Sequence, residues 1–203
     1  MAGAGRLLAA DFAISLMWVV SNELIKIFSL GYAASQLEGD ILKCALSVAN
    51  LFAFAYMSKA TDGGAYNPLS VLAPAISADF SNFLFTVGAR IPAQVVGSVY
   101  GVKLIMSTFP WIEHKPHLKV DIATGALTED LTGGCMNPAP VMGWAFANKQ
   151  HITKEHLIVY WLAPVEATLI AVWLCGILFG TKKDKPSAVK KATSPPQKSE
   201  KSD

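Results

Sequence analysis

Long apolar stretches alternate with short polar ones along most of the chain. Four of them are long enough to be membrane spans: residues 7–30, 41–58, 83–109 and 157–180. A helix needs about 20 mostly apolar residues to cross about 30 Å of hydrocarbon. The pattern therefore predicts four spanning helices and an all-α membrane protein.

Each predicted span contains ionisable or small residues that lipid does not favour. The ionisable residues inside the spans are Asp11, Glu23, Lys26, Lys43, Arg90, Lys103 and Glu166. Charged groups inside a membrane normally face protein neighbours or a wet cavity, so the spans are expected to pack together. Glu23 and Lys26 are three positions apart, which predicts an ion pair on one helix and leaves a functional role as the alternative.

Small residues recur in the third predicted span. Gly97 and Gly101 are separated by three residues, and Gly88 and Ala93 precede them. In lipid this spacing lets two helix backbones approach closely, because packing replaces the hydrophobic effect as the source of association. We expect close helix packing at this face.

An internal repeat is the most informative feature of the sequence. Residues 63–71 (the first motif, GGAYNPLSV) align with residues 133–141 (the second motif, GGCMNPAPV). About ten modestly apolar residues follow each Asn-Pro pair, which is too few to span a bilayer. A single Asn-Pro pair only signals a turn. Two short, Gly/Pro-interrupted segments in corresponding halves of a membrane chain indicate a transport site near the membrane midplane.

The two Asn-Pro pairs predict the starts of two half-helices. Asn is a preferred N-cap, and Pro fits the first helical position, which needs no N–H. The asparagine amide then points beyond the helix end, together with the positive end of the helix dipole. Two such ends, entering from opposite membrane faces, would bind a neutral molecule with lone pairs and repel protons and cations. The predicted donors are Asn67 and Asn137.

Composition excludes several other classes of protein. Only 16% of the residues are charged and 52% are apolar, whereas soluble domains are about 25% charged. This balance excludes a disordered body and argues against a soluble nucleic-acid-binding protein. Cys44, Cys135 and Cys175 are odd in number and scattered, which excludes a disulfide-built secreted domain.

The positive charge is concentrated at the end of the chain. Residues 181–203 contain seven of the 17 basic residues and three of the 15 acidic ones, together with three prolines. Such a segment is typical of a disordered tail. Because basic flanks stay in the cytosol, we expect a cytosolic tail after a membrane domain at 1–180.

The motifs resemble those of the aquaporin, or major intrinsic protein, family. Residues 93–98 (AQVVGS) resemble that family's third span, and residues 160–164 (YWLAP) resemble the start of its sixth. Two segments are most similar to the type-two small basic intrinsic proteins of plants: Asn67-Pro68-Leu69 and residues 131–139 (LTGGCMNPA). The resemblance implies an aquaporin-like bundle with two re-entrant half-helices.

The resemblance also implies roles for individual residues. The pore motifs match Asn67, Pro68, Leu69, Asn137, Pro138 and Ala139. The selectivity constriction matches Ser47, Gly134 and Pro140. Most aquaporins have Arg at the position of Pro140, so a strong outer filter is lost here. Pro140 also lacks the N–H at the third helical position, which leaves the Ala139 N–H for Asn137 to cap.

Two spans of the family pattern are absent from this chain. Family members have six spans, whereas the apolar pattern gives four, and Asn67 and Asn137 are only 70 positions apart. Residues 124–129 resemble the start of a fourth span, yet the approach to the second motif follows at 130. We therefore expect about 40 residues to be missing at this junction. Because the number of missing spans is even, the tail stays on the cytosolic side. The pore wall, however, is expected to be incomplete.

The leading functional hypothesis is a passive membrane channel for water or another small uncharged solute, impaired by the missing spans. The alternative is a non-conducting subunit that binds intact aquaporin subunits and changes their assembly or trafficking. The resemblance implies the endoplasmic reticulum membrane, and a homotetramer or a mixed tetramer with full-length subunits. The expected partners are the lipid bilayer and a small neutral solute, and no nucleic acid.

Nothing in the sequence favours an enzyme. It has no Gly-rich phosphate loop, no Ser/His/Asp grouping and no Cys/His pairing. His114 and His117 have a spacing compatible with a metal, but no further ligand cluster is nearby. His151 and His156 are expected to be solvated where the last span begins. We therefore expect no catalytic residue, cofactor or metal.

Overall fold

The computed structural model describes residues 2–32, 34–111 and 137–180. Every regular element in these ranges is helical, which confirms the predicted all-α class. The elements are α1 Ala2–Tyr32, α2 Gln36–Ala60, α3 Pro68–Ile76, α4 Phe80–Phe85, the π-helical turn π1 Thr86–Arg90, α5 Ile91–Thr108, α6 Pro138–Ala147, α7 Lys154–Leu157, the π-helical turn π2 Ile158–Leu162 and α8 Ala163–Phe179.

The predicted spans coincide with long helical stretches. Within the described ranges, three helices are long and apolar enough to cross a membrane: Gly3–Tyr32, Gln36–Ala60 and Lys154–Phe179. The predicted third span, 83–109, corresponds to the uninterrupted helical stretch of α4, π1 and α5. This stretch is less apolar because it contains Arg90, Gln94 and Lys103.

α1 and α5 pack closely through the glycines of the third span. A Cβ on Gly97 would lie 2.2 Å from the carbonyl oxygen of Phe12, and a Cβ on Gly101 would lie 2.8 Å from that of Leu16. No side chain fits at such distances, so only glycine permits this backbone approach. The expected close packing at this face is confirmed.

The two half-helices follow the two Asn-Pro pairs, as predicted. α3 has nine residues and α6 has ten, which gives each a length of about 14–15 Å. Neither can cross a bilayer. α3 packs against α8, α6 packs against α5, and the two half-helices contact each other. The packing is therefore crossed: α3 contacts the long helix that comes after α6, and α6 contacts the long helix that comes after α3.

The repeat extends into these long helices. Each π-helical turn is closed by a hydrogen bond that spans five positions. In π1 the Ile91 N–H donates to the Thr86 carbonyl, and in π2 the Ala163 N–H donates to the Ile158 carbonyl. Pro92 and Pro164 come directly after these donors. Proline has no N–H to continue the regular ladder, and a π-helical turn absorbs the mismatch.

The structure tests two further predictions on polar residues. Glu23 and Lys26 form the expected ion pair on α1, with 3.9 Å between the carboxylate oxygen and Nζ. The prediction of a solvated His156 is wrong. Its side chain is buried, because its ring packs beside that of Tyr160 one helical turn further on.

Several predicted features lie outside the described residues and stay predictions. They are the constriction residue Gly134, Cys135, the junction at 129–130, the loop histidines His114 and His117, and the tail 181–203.

Candidate functional site

The first motif starts a half-helix with an asparagine cap. The Leu69 N–H donates to Oδ1 of Asn67 over 3.0 Å. Pro68 occupies the first helical position and is buried, while Leu69 is half-buried. This geometry is the one predicted from the Asn-Pro pair, because the cap satisfies a backbone donor that has no partner within the helix.

The second motif repeats the same cap. The Ala139 N–H donates to Oδ1 of Asn137 over 3.2 Å. Pro138 is at the first helical position, and Pro140 is at the third, where it supplies no N–H. All four residues of this helix start are buried. The prediction that Ala139 is the residue capped by Asn137 is confirmed.

The starts of the two half-helices meet. Nδ2 of Asn137 donates to the backbone carbonyl of Tyr66 over 3.0 Å, and Tyr66 directly precedes Asn67. The two positive helix ends and both capping amides are thus brought to one place. The two amides are not equivalent. Nδ2 of Asn137 donates to the backbone, whereas Nδ2 of Asn67 makes no hydrogen bond within the described part of the chain.

A buried ion pair holds the loop before Asn67, residues 61–66, which we call the first-motif loop. Nε and Nη2 of Arg90 lie 2.7 and 2.9 Å from the two carboxylate oxygens of Asp11. The Ala65 N–H donates to the same carboxylate over 2.8 Å. Sequence reasoning identified both charges as residues that need partners but did not pair them, because they are 79 positions apart.

Aromatic rings pack around the same loop. The rings of Trp18 and Tyr66 are stacked, with centroids 3.9 Å apart and planes at 13°. Phe54 from α2 makes edge contacts with both rings, at 4.9 and 5.4 Å. The cluster fixes Tyr66 from its side-chain end, while its carbonyl accepts from Asn137. The sequence analysis did not predict this aromatic cluster, although Tyr66 lies within the first motif.

The structure describes two of the three predicted constriction residues, so the predicted constriction stays a prediction. Pro140 is buried at the start of α6, whereas Ser47 is half-buried on α2. In the part of the chain that the structure describes, no hydrogen bond or ring contact links Ser47 to either half-helix, and α2 packs mainly against α1. Gly134 falls outside the described ranges.

Two polar side chains of α5 are buried. Gln94 and Ser98 are one turn apart and fully buried. Among the residues that the structure describes, neither side chain has a hydrogen-bond partner. The Ser98 carbonyl approaches α6 so closely that a Cβ on Gly143 would lie 2.9 Å from its oxygen. Buried polar groups without partners are costly, so Gln94 and Ser98 stand out among the buried residues of α5.

Known proteins are similar to this chain over nearly its whole length. Probable aquaporin SIP2-1 of Arabidopsis thaliana is 40% identical over 229 aligned positions, which take in 90% of this chain and 97% of the relative. Aquaporin SIP2-1 of Zea mays is 36% identical, and the aligned region takes in 88% of this chain and 89% of the relative. Its counterpart in Oryza sativa subsp. japonica is also 36% identical, with coverages of 87% and 89%.

Two other comparisons found no relatives. No family model matches the chain, and no solved structure matches it. The paired half-helices and the similarity to the three curated relatives agree with each other. The chain therefore belongs to the aquaporin family of membrane channels, within the type-two small basic intrinsic protein (SIP2) subfamily of plants.

Proposed function

We propose that this protein is a passive channel for water or another small uncharged solute, with Asn67 and Asn137 as its pore residues. The observation that carries the proposal is the hydrogen bond from Nδ2 of Asn137 to the carbonyl of Tyr66. This bond joins the starts of two half-helices that are each too short to span a bilayer. Such a junction is what a midplane transport site requires.

The electrostatics of this junction favour a neutral solute. Each half-helix contributes a positive end of about half an elementary charge. Positive ends facing one point repel protons and other cations, while an amide donor binds a solute with lone pairs. Nδ2 of Asn67 is the donor for that contact, since within the described residues it makes no hydrogen bond to protein.

The proposed constriction carries no formal charge. Its residues are Ser47, Gly134 and Pro140. An arginine at the last of these positions would add a fixed cation and a fork of donors to the filter. Without it, we propose that the filter admits small neutral solutes besides water.

We further propose that two spans are missing and that the missing wall reduces flux through this chain alone. The match to the Arabidopsis thaliana relative runs over 229 aligned positions but takes in 90% of this 203-residue chain, so about 46 positions have no residue of this chain opposite them. Two spans need about 40 residues. Intact mass of the native protein tests this, because a mass larger by two spans would contradict it.

Flux measurements on reconstituted protein test the channel proposal. The purified chain in lipid vesicles is expected to raise osmotic water or glycerol permeability above that of empty vesicles, at a level below that of a full-length subunit. Asn67→Asp keeps a good N-cap but replaces the amide donor by a carboxylate. We expect this variant to lose the gain in permeability while keeping its helix content.

Asn148→Asp is the matched control for that variant. Asn148 ends α6, and its exposed side chain bonds to the Trp144 carbonyl away from the junction. The control should conduct as the unmodified chain does. Permeability equal to that of empty vesicles for the unmodified chain would contradict a channel formed by this chain alone, and equal permeability of Asn67→Asp would contradict the assigned pore role.

A non-conducting subunit that joins intact aquaporin subunits is the second candidate function. The observation in its favour is Glu166, which is exposed on α8 and has no ion pair among the described residues. α8 has no buried residue. A carboxyl group inside a span normally faces a protein partner. Co-purification with a full-length subunit, combined with no flux from this chain alone, would favour this function over the first.

Location and assembly are also proposals that rest on the resemblance. We propose an endoplasmic reticulum membrane, a tetramer with like or full-length subunits, and a cytosolic tail at 181–203. The seven lysines of the tail support its orientation, because basic flanks stay in the cytosol. Protease digestion of sealed microsomes carrying the protein should remove a tag placed at the tail, and protection of that tag would contradict the orientation.

A further inference from the structure

A cavity of about 450 Å³ lies where α1 ends and α2 begins, and we call it the α1–α2 cavity. The two helices are antiparallel, since Trp18 contacts Phe54 and Nδ2 of Asn50 donates to the Ser21 hydroxyl over 3.1 Å. The lining comes from α1, α2 and the turn between them. The volume is within the range of small-ligand sites in proteins. The cavity is therefore large enough for a ligand and separate from the junction of the half-helices.

Three charged side chains line the α1–α2 cavity: Lys26, Asp40 and Lys43. Within the described part of the chain, Asp40 and Lys43 form neither an ion pair nor a side-chain hydrogen bond, and both are exposed. Lys26 makes only the long contact of 3.9 Å with Glu23. A cavity with charges of both signs that the protein does not pair with each other suits a ligand that also carries both signs.

The other acids at this end of the two helices already have structural roles. Glu23 pairs with Lys26, and Glu38 accepts from the Ala34 N–H over 3.1 Å at the start of α2. Neither carboxylate lines the cavity. Asp40 is therefore the acid in this part of the structure that is available to a cationic group of the ligand.

The charges of the cavity are ordered along the membrane normal. Lys43 lies inside the apolar run 41–58, whereas Asp40 precedes that run and is about 4.5 Å further out along the helix axis. Lys26 lies inside the apolar run of α1, six residues before that helix ends. Lysines in such places extend their ammonium groups towards the headgroup region. The cations are thus nearer the hydrocarbon and the anion is nearer the water.

A zwitterionic phospholipid with a primary amine carries its charges in the complementary order. Its phosphate lies beside the glycerol at the hydrocarbon boundary, and its ammonium extends towards water. We propose that the α1–α2 cavity binds the headgroup of such a lipid, with Lys26 and Lys43 on the phosphate and Asp40 on the ammonium. This site goes beyond the proposed channel function, because it requires only that α1 and α2 are embedded in a membrane.

Two other headgroups match the cavity less well. Phosphatidylcholine has the same phosphate, but its quaternary ammonium has no N–H to donate to a carboxylate. Phosphatidylglycerol has the phosphate and no cation, so the Asp40 carboxylate gains no opposite charge. We expect phosphatidylethanolamine to bind more tightly than either of them, by about threefold, since ion pairs near water contribute modestly.

Lipid titrations of the full chain in detergent test the site. Native mass spectrometry with the three phospholipids, all with the same acyl chains, gives an apparent Kd for each. Lys43→Met should weaken the binding of all three by about threefold, because all contain the phosphate. Asp40→Asn should weaken phosphatidylethanolamine to the level of phosphatidylcholine and leave phosphatidylglycerol no weaker. Both side chains are exposed, so the variants should keep their helix content.

Lys154→Met and Glu155→Gln are the matched controls. These two residues carry the same charges and are exposed at the start of α7, outside the cavity. Neither control should change the Kd of any of the three lipids. Lys43→Arg keeps a cation at its position and should retain the binding of all three.

The results decide the proposal without a flux measurement. Loss of the phosphatidylethanolamine preference in Asp40→Asn, with the controls unchanged, supports the site. Equal Kd values of the three lipids for the unmodified chain, or equal weakening by Lys154→Met and Lys43→Met, would overturn it. Free phosphoethanolamine that competes as well as the lipid at the same concentration would identify a soluble ligand and overturn the lipid assignment. Failure of the channel proposal would appear only as vesicles with no added permeability.

Discussion

Nδ2 of Asn137 donates a hydrogen bond to the backbone carbonyl of Tyr66, 71 positions earlier in the chain, over a distance of 3.0 Å. This bond connects the two halves of the internal repeat through a side chain of one and the backbone of the other. It gives Asn137 two structural tasks, since its Oδ1 also caps α6. Asn67 has the capping task alone within the described residues.

The two motif asparagines should therefore differ in their effect on stability. Asn67→Ala removes one N-cap, a loss of about 1 kcal/mol. Asn137→Ala removes a cap and the bond to Tyr66, a loss of about 2 kcal/mol. Thermal unfolding of the detergent-solubilised protein should show the larger decrease for Asn137→Ala. Equal decreases would mean that the bond to Tyr66 contributes nothing.

The glycine contact between α1 and α5 predicts a sharp difference between two glycines. Gly97→Ala places a methyl group 2.2 Å from the Phe12 carbonyl oxygen, and overpacking of this kind costs about 1–3 kcal/mol or more. Gly176→Ala on α8 is the control, because a Cβ there meets no described atom within 4 Å. The control should gain about 0.5–1 kcal/mol from helix propensity. Thermal midpoints of the two variants should move in opposite directions.

The aromatic cluster makes a third prediction. Trp18→Ala removes the ring stacked on Tyr66 and its edge contact with Phe54. Because Trp18 is only half-buried, we expect a loss of about 2–3 kcal/mol, below the range for a fully buried tryptophan. Trp111→Ala is the control, since 75% of that residue is exposed. A comparable loss in both variants would contradict a stabilising role of the stack.

Local features of the sequence predicted local features of the structure. The apolar runs located the long helices, and the Asn-Pro pairs located both half-helix starts, including the cap on Ala139. The spacing of Gly97 and Gly101 predicted the close helix contact that the structure contains. Each of these signals depends on residues within a few positions of one another, so a single sequence is sufficient to detect them.

Pairings between distant residues were not predictable in the same way. The predicted spans contain several charged residues. Each of them needs a partner inside the membrane, but the sequence does not show which residue that partner is. Asp11 and Arg90 are 79 positions apart, and Asn137 and Tyr66 are 71 apart. Only the packing of α1, π1 and the half-helices selects these pairs. The burial of His156 was not predicted either, although the ring beside it, Tyr160, is only four positions further on.

The π-helical turns also have a signal in the sequence. Pro92 and Pro164 stand inside otherwise apolar helical stretches, where each removes one backbone donor. A proline in such a place predicts a kink or a widened turn. In the structure, the two turns occupy corresponding places after the two half-helices.

The last prediction concerns Pro140, which occupies the third helical position of α6. Pro140→Ala supplies an N–H next to the one that Asn137 already caps, and a helix start gains from each backbone donor that is satisfied. Pro138→Ala is the matched control, because proline suits the first helical position and its missing N–H costs nothing there. Both variants lose the restriction that proline places on the unfolded chain, so we expect Pro140→Ala to be more stable than Pro138→Ala by about 0.5–1 kcal/mol in thermal unfolding. Equal stability of the two variants would show that the added N–H beside the cap at Asn137 contributes nothing.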